Sequence, residues 1–485
     1  MAGIGFELKK IYRKEGITRG ALGALYSTVV TLGPMIFSIC TILGLYFFLK
    51  ISDVSYADRE LLSSTILYAF IFSVIVTAPF NVVFSRYIAD KFYTEEYRNI
   101  LNSYYMGITV CAAISSLLFL PVGWSLRIRG EIDYPYILAA YVLWISLIMV
   151  FFSIIYLHAT KDYKMITIFF LSGSLLAFLL AVFLYQWRQQ DVIHAIIYAL
   201  AAGFLVTAIQ IFAYIKRYFS SSETGYGECM HYMMSYKSLL LANMMYTLGL
   251  YAHNFVMWTM PSRTETAKTF YTNQAYDMAT YLAMLTNIFI MVVFTVSVET
   301  KFHTAYKEYM EAVLGGTYKM LVKGRKKMFR TLSQQIGQIF STQVAITSVI
   351  YLLIISFGTS LGIDSVTLAI YPALVVAYLG IFMMYGNLVY LYYFSDLKGA
   401  MITGGIYFLV TLGASLASSQ YEAPFWGMGA LVGMLAGWSY SFFRIRWIER
   451  NFDTYIFCDY KVVDTMKSSN KGRIVYANKE GSTAR

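Results

Sequence analysis

The chain has 485 residues, of which 58% are hydrophobic and only 13% charged, about half the charged share of an ordinary soluble domain. That excludes a water-soluble globular protein, because most of the surface must face lipid or other helices. The net charge of +11 raises nucleic acid as a partner, but the basic residues fall mostly in alternate loops, the pattern of membrane orientation; no nucleic acid is expected.

Residues 1–20, MAGIGFELKKIYRKEGITRG, place Ile4, Leu8 and Ile11 at helical spacing with Glu7, Lys10 and Lys14 on another side. They read as a short amphipathic helix on the membrane surface. The uncharged run from Ala21 to Leu49 follows, 29 residues long. A signal peptide's apolar region is about 7–15 residues, whereas this run exceeds the length needed to cross about 30 Å of hydrocarbon. The start is therefore expected to be retained. Gly33-Pro34 within the run predicts a bend, since proline removes a backbone donor.

Twelve such spans are predicted: 21–49, 61–85, 101–126, 135–157, 165–187, 192–215, 238–261, 275–298, 336–357, 367–394, 400–419 and 425–443. With the N-terminus inside, 31 of the 38 Lys and Arg residues fall in inside segments, which predicts both termini in the cytoplasm. The longest polar breaks are 216–237, 299–335 and the tail from 444. The expected organisation is an all-α integral membrane protein with a first six-helix lobe (21–215), an inter-lobe linker (216–237), a second six-helix lobe (238–443) and a basic tail (444–485). A central cavity between the lobes is the natural path for cargo. Thr-Leu-Gly recurs at 31–33 and 247–249 but also at 411–413, a weak trace of duplication.

The spans carry no Lys or Arg well inside, and the only acid is Asp277, within a turn of the end of span eight. Charges at membrane depth are usually kept for function, so the cargo is expected to be neutral and Asp277→Asn nearly silent. What the spans offer instead is uncharged. Asn243, Thr247, Tyr251, Asn254 and Trp258 share a face of span seven, and Tyr276, Thr280, Met284, Asn287, Met291 and Thr295 a face of span eight. Span one carries Ser27, Thr31, Ser38 and Thr41. Tyr371, Tyr378, Tyr385 and Tyr392 recur every seven residues in span ten, a ladder about 32 Å long. Such faces suit a sugar chain: rings stack on sugar C–H faces, and amides and hydroxyls exchange hydrogen bonds with sugar hydroxyls as the polymer slides. They equally suit packing, since polar stripes hold transmembrane helices together. His253, off this face, reads as a packed residue.

No GxxxxGK[ST], HExxH or GxSxG occurs, and Cys40, Cys111, Cys229 and Cys458 show no paired spacing. Catalysis, a metal site and a cofactor are not expected. TYKMLVKGRKKMFR (317–330), with Lys323, Arg325, Lys326 and Lys327, reads as a basic surface helix near anionic headgroups or as a docking segment for a cytosolic partner. Arg86 and Asp90, four residues apart, can brace a helix turn, hold a cytoplasmic gate, or meet a partner beside Glu7 and Lys10.

MAGIGFEL (1–8), followed by a basic stretch and a Gly-Pro first span, resembles the start of the PelG family, inner-membrane transporters of the Pel exopolysaccharide. APFNVVFSRYIADKFY (78–93) resembles that family's Pro…Arg-Tyr segment. The resemblance implies a flippase/multidrug-exporter superfamily fold, with spans one and seven bent at the mouth of the cavity. It implies export of an N-acetylgalactosamine-rich polymer supplied by a cytosolic glycosyltransferase (PelF-like). It also implies membrane scaffold partners that are PelD-like, sensing cyclic di-GMP, and PelE-like. No catalytic residue is carried over. The competing reading is an independent secondary transporter that flips a lipid-linked oligosaccharide or exchanges a solute for an ion.

The charge count yields a direct expectation. Cysteines introduced in 299–335 should react in intact cells only with membrane-permeant reagents, and one at Ser262 with impermeant ones; reversed labelling would overturn the orientation.

Overall fold

The computed structural model describes residues 37–160, 162–219 and 225–458. Glu7, Gly33 and Pro34, the predicted helix at 1–20 and the tail from 459 lie outside them. Among the described residues the chain is helical apart from one short hairpin. Helix α1 spans Phe37–Phe48. Then follow α2 (Tyr56–Tyr93), α3 (Ile100–Ile128), α4 (Tyr134–Ala159), α5 (Tyr163–Gln186) and α6 (Val192–Tyr218). The inter-lobe stretch contains α7 (Tyr226–Ser235) and leads into α8 (Lys237–Met257). Strands β1 (Thr264–Thr266) and β2 (Phe270–Thr272) precede α9 (Gln274–Ser297), and a π-helical turn, Val298–Phe302, connects to α10 (His303–Gly315). The chain finishes with α11 (Tyr318–Phe357), α12 (Ser365–Tyr393), α13 (Leu397–Ser418), α14 (Met428–Arg450) and α15 (Phe452–Cys458).

Among the described residues, nine helices are long and apolar enough to cross a membrane. They are α2–α6, α9 and α11–α13; α1, α8 and α14 coincide with the other three predicted spans. Helix starts follow side-chain capping, in which an oxygen satisfies an amide that lacks an intrahelical partner. Ser55 accepts from the Asp58 amide, Asn273 from Tyr276, Thr317 from Met320, Asp364 from Val366 and Asp396 from Gly399.

One local expectation is corrected. The basic segment 317–330 is not a separate surface helix: it is continuous with span nine in the 40-residue α11, about 60 Å along its axis. The connection from span seven to span eight forms an antiparallel hairpin, Thr264 opposite Thr272, turned by Ala267 and Lys268, both at positive φ (50° and 47°).

Buried apolar side chains group by lobe. One core runs from Leu45 to Phe219 and takes in Cys229 of α7 and Phe270 of the hairpin. Two further cores draw on residues 242–456. Polar pairs fasten helices inside the first lobe, among them Thr65–Tyr136 at 3.0 Å, Ser103–Tyr156 at 2.9 Å and Tyr104–Ser153 at 2.8 Å. In the second lobe, Gly249 lets α8 approach α13 so closely that an added Cβ would sit 2.5 Å from Tyr407.

The lobes are bridged at one end by the hairpin. The Tyr68 hydroxyl on α2 donates to the Tyr271 carbonyl at 2.8 Å and accepts from the Tyr271 amide at 3.0 Å. Its ring stacks on Trp258, centroids 4.9 Å apart, and meets Phe270 at 4.8 Å. Gln274 donates to the Tyr56 hydroxyl at 2.8 Å, and Ser125 pairs with Thr269 at 2.8 Å. Removing the hydroxyl by Tyr68→Phe strands a backbone amide, at a cost of about 1–3 kcal/mol. The purified protein should show a lower thermal midpoint with unchanged helicity; an unchanged midpoint would contradict the clasp.

Candidate functional site: the seam between the lobes

The predicted polar face of α8 divides into two environments. Thr247 and Asn254 are buried, as is Trp258 just past the end of α8. Asn254 Nδ2 donates to Asp277 Oδ1 at 2.8 Å and approaches Thr280 Oγ1 at 3.5 Å. Trp258 Nε1 reaches both Asp277 oxygens at 3.0 Å, and the Asn273 amide donates to Oδ2 at 3.0 Å. Asp277 is thus the acceptor on which three donors converge, while Asn254 Oδ1 is buried without a partner among the described residues. Asn254 and Trp258 are held in this network, with Thr280 beside them. The expectation that Asp277→Asn is nearly silent concerns export, whereas this geometry bears on the stability of the second lobe. The same network orients Trp258 against Tyr68 of the other lobe.

Asn243 lies at the lobe contact and donates to the Ala78 carbonyl on α2 at 2.5 Å. Asn287 donates to the Tyr378 carbonyl at 3.0 Å and accepts from Gln343 at 2.6 Å, tying α9 to α11 and α12. His253 is fully buried between the Tyr276 hydroxyl at 3.0 Å and the Tyr378 hydroxyl at 3.4 Å, a packed position as its place off the polar face predicts. Tyr378 is itself only 1% exposed.

Another set behaves differently. Tyr246, Tyr251, Tyr385 and Tyr392 are half-buried, and Tyr281 is 47% exposed. The Tyr246 ring lies 5.9 Å from both Tyr385 and Tyr407, and Tyr251 neighbours Tyr246, Tyr281 and Tyr378. From the level of Tyr378 to Tyr392 on α12 is about 21 Å. Of the sequence-predicted residues, Tyr251 and Tyr385 are half-buried and Tyr378 is buried. Tyr246 and Tyr281 were missed; each sits beside a singled-out residue, Thr247 and Thr280, but off its face.

At the end opposite the hairpin, Arg86 and Asp90 do not form the i,i+4 brace. The Arg86 guanidinium lies 4.6 Å over the Tyr236 ring, and Asp90 accepts from the Tyr232 hydroxyl at 2.5 Å. Burial and the adjacent Asp90 carboxylate hold the Tyr232 hydroxyl well above the usual tyrosine range. Lys91 bridges Glu228 and Glu96, both at 2.6 Å, and Asn99 donates to Glu228 at 2.6 Å. Together these contacts fasten α7 to the first lobe. On α11, Arg325 pairs with Asp453 and Lys327 with Glu308, whereas Lys323 and Lys326 are exposed. No group of three or more His, Cys, Asp or Glu able to hold a metal occurs among the described residues.

The arrangement of two bridged helical lobes is shared by similar solved structures. An outward-facing multidrug-resistance MATE family transporter of the MOP superfamily aligns with a TM-score of 0.58 at 13% identity, covering 88% of this chain and 96% of that one. A MOP superfamily transporter from Pyrococcus furiosus aligns with a TM-score of 0.59 at 14% identity, covering 88% and 96%. An inward-facing MATE family transporter aligns at 0.56 and 14% identity, covering 87% and 99%. The fold is therefore that of MOP-superfamily transporters, twelve helices in two lobes, and the protein is a multi-pass membrane protein. Its sequence matches the PelG family of exopolysaccharide exporters (EPS-E) over residues 1–457, so the chain belongs to that family. No curated protein matches it.

Asp277→Asn would turn an amide N–H toward donors that now meet only carboxylate oxygens. A loss of about 1–3 kcal/mol is expected, read as a lower thermal midpoint and altered Trp258 emission. A variant indistinguishable from the parent on both would show that the network does not hold the second lobe.

Proposed function

We propose that this protein exports a neutral N-acetylhexosamine polymer, of the Pel type, across the cytoplasmic membrane. It acts as a conduit fed by a cytosolic glycosyltransferase (PelF-like) and associates with PelD-like and PelE-like membrane scaffolds. Both termini and the α7 end of the bundle face the cytoplasm in this reading. The observation that supports the cargo assignment is the tyrosine cluster on α8 and α12: the Tyr246 ring lies 5.9 Å from Tyr385, and Tyr246, Tyr251, Tyr385 and Tyr392 are all half-buried. Each offers a flat ring with an apolar body and a hydroxyl at its tip. Repeated weak contacts of this kind let a polymer advance, where one tight site would hold it.

The alternative, an ion-exchanging secondary transporter, would need an acid that changes partners during the cycle. Asp277 is the only acid within the predicted spans, and its two oxygens already serve Asn254, Trp258 and the Asn273 amide. Export from liposomes driven by an ion gradient without a synthase would favour that alternative.

Single hydrogen bonds contribute about 0.5–1.5 kcal/mol net, so Tyr246→Ala, Tyr251→Ala or Tyr385→Ala should each lower secreted polymer by about two- to tenfold at equal membrane abundance. The Tyr251→Ala/Tyr385→Ala double variant should lose more than either single change. Full export from the double variant would contradict the conduit.

A further inference from the structure

Helix α11 carries a feature that the transport reading does not use. Lys319, Lys323, Lys326 and Arg330 are all exposed, at spacings of four, three and four residues. At 3.6 residues per turn they fall within an arc of about 60°. Met328, Leu332, Gln335 and Ile339 are buried on the opposite side of the helix. The cations therefore form one straight stripe on the face turned away from the protein. Arg325 and Lys327 are excluded from it by their bridges to Asp453 and Glu308.

The segment bearing the stripe is rigidly braced. Gly324 lets α10 lie close, an added Cβ standing 3.4 Å from Tyr309 Cα. Phe329, Phe394 and Phe452 pack ring against ring at 4.8–5.7 Å, joining α11 to α12 and α15. An ordered row of four cations carries little side-chain pairing of its own and so attracts an anionic surface.

That surface is not lipid headgroups. The predicted apolar run begins at residue 336. Measured from there, Arg330 lies about 9 Å along the axis, at the edge of the headgroup layer, and Lys326, Lys323 and Lys319 lie about 15, 20 and 26 Å along it, clear of that layer. A headgroup layer is only about 5–8 Å deep on each side of the hydrocarbon. The chain's own outlying segments are the wrong sign: residues 1–36 hold five Lys/Arg against two acids, and residues 459–485 hold six against three. A second copy would set the same cationic row against itself. We propose that Lys319, Lys323, Lys326 and Arg330 dock an acidic face of a cytosolic protein, the three lysines being presented clear of the bilayer. This rests on the cytoplasmic orientation of the α7 end proposed above, not on the identity of the cargo.

The test uses the full-length protein in intact cells. A photo-crosslinking residue replaces Lys323 or Lys326, and adducts are identified by mass spectrometry. The expected result is a cytosolic protein adduct at both positions. Its co-purification with the otherwise native transporter should fall at least tenfold for Lys319→Gln/Lys323→Gln/Lys326→Gln/Arg330→Gln, be retained when the three lysines become arginine, and weaken with salt. If the captured protein is the glycosyltransferase, the synthase-coupled reading gains as well. If it is another protein with the same charge dependence, the docking stripe stands and the synthase coupling falls. Adducts only to lipid or to a second copy, no adduct, or association indifferent to the four neutralisations would each overturn the stripe.

Discussion

Within hydrocarbon no water is present to satisfy polar groups, so each one must be bonded internally or face a cavity. The architecture follows from that constraint. Backbone groups are absorbed by helices, and much of the side-chain polarity that remains is hydrogen-bonded between helices or gathered at the seam. Asp277 illustrates the first outcome, with Asn254, Trp258 and the Asn273 amide converging on one carboxylate. The tyrosines of α8, α9 and α12 illustrate the second. Tyr246, Tyr251, Tyr385 and Tyr392 are half-buried there.

The two outcomes are mechanically connected. The Asp277 network fixes Trp258, Trp258 stacks on Tyr68, and Tyr68 is bonded to both backbone groups of Tyr271. One chain of contacts thus runs from the inside of the second lobe through the hairpin to the first lobe. At the opposite end, α7 is bound to the first lobe through Tyr232–Asp90 and Lys91–Glu228. Lobe motion in a fold of this kind has to loosen contacts at one end or the other, and these are the contacts available to loosen.

Hydropathy and charge made the helices legible because lipid imposes a strong, uniform demand on composition. Each of the twelve predicted spans overlaps a helix among the described residues, with up to four predicted end residues falling outside the helix in spans seven and twelve. The hairpin escaped because its strands are three residues each and its turn is Ala267-Lys268, not the Asn-Gly or Asp-Gly that marks such turns. The continuity of α11 escaped because polarity changes at residue 336 while helical geometry does not. Periodicity placed Asn254, Trp258 and Thr280 on polar faces correctly but could not show that Asp277 on the neighbouring helix occupies them. The ladder on α12 shows the limit most clearly. A seven-residue repeat drifts about 20° per step on a straight helix. Tyr371 and Tyr378 are fully buried in the core, whereas Tyr385 and Tyr392, further round the helix, are half-buried.

The central claim is that a neutral sugar chain passes along the tyrosine-lined seam. The most direct measurement is a density map of the transporter captured with its glycosyltransferase during polymer synthesis. The account predicts continuous glycan density against Tyr251, Tyr246, Tyr385 and Tyr392. Glycan density following another path through the lobes, with this face empty, would contradict it.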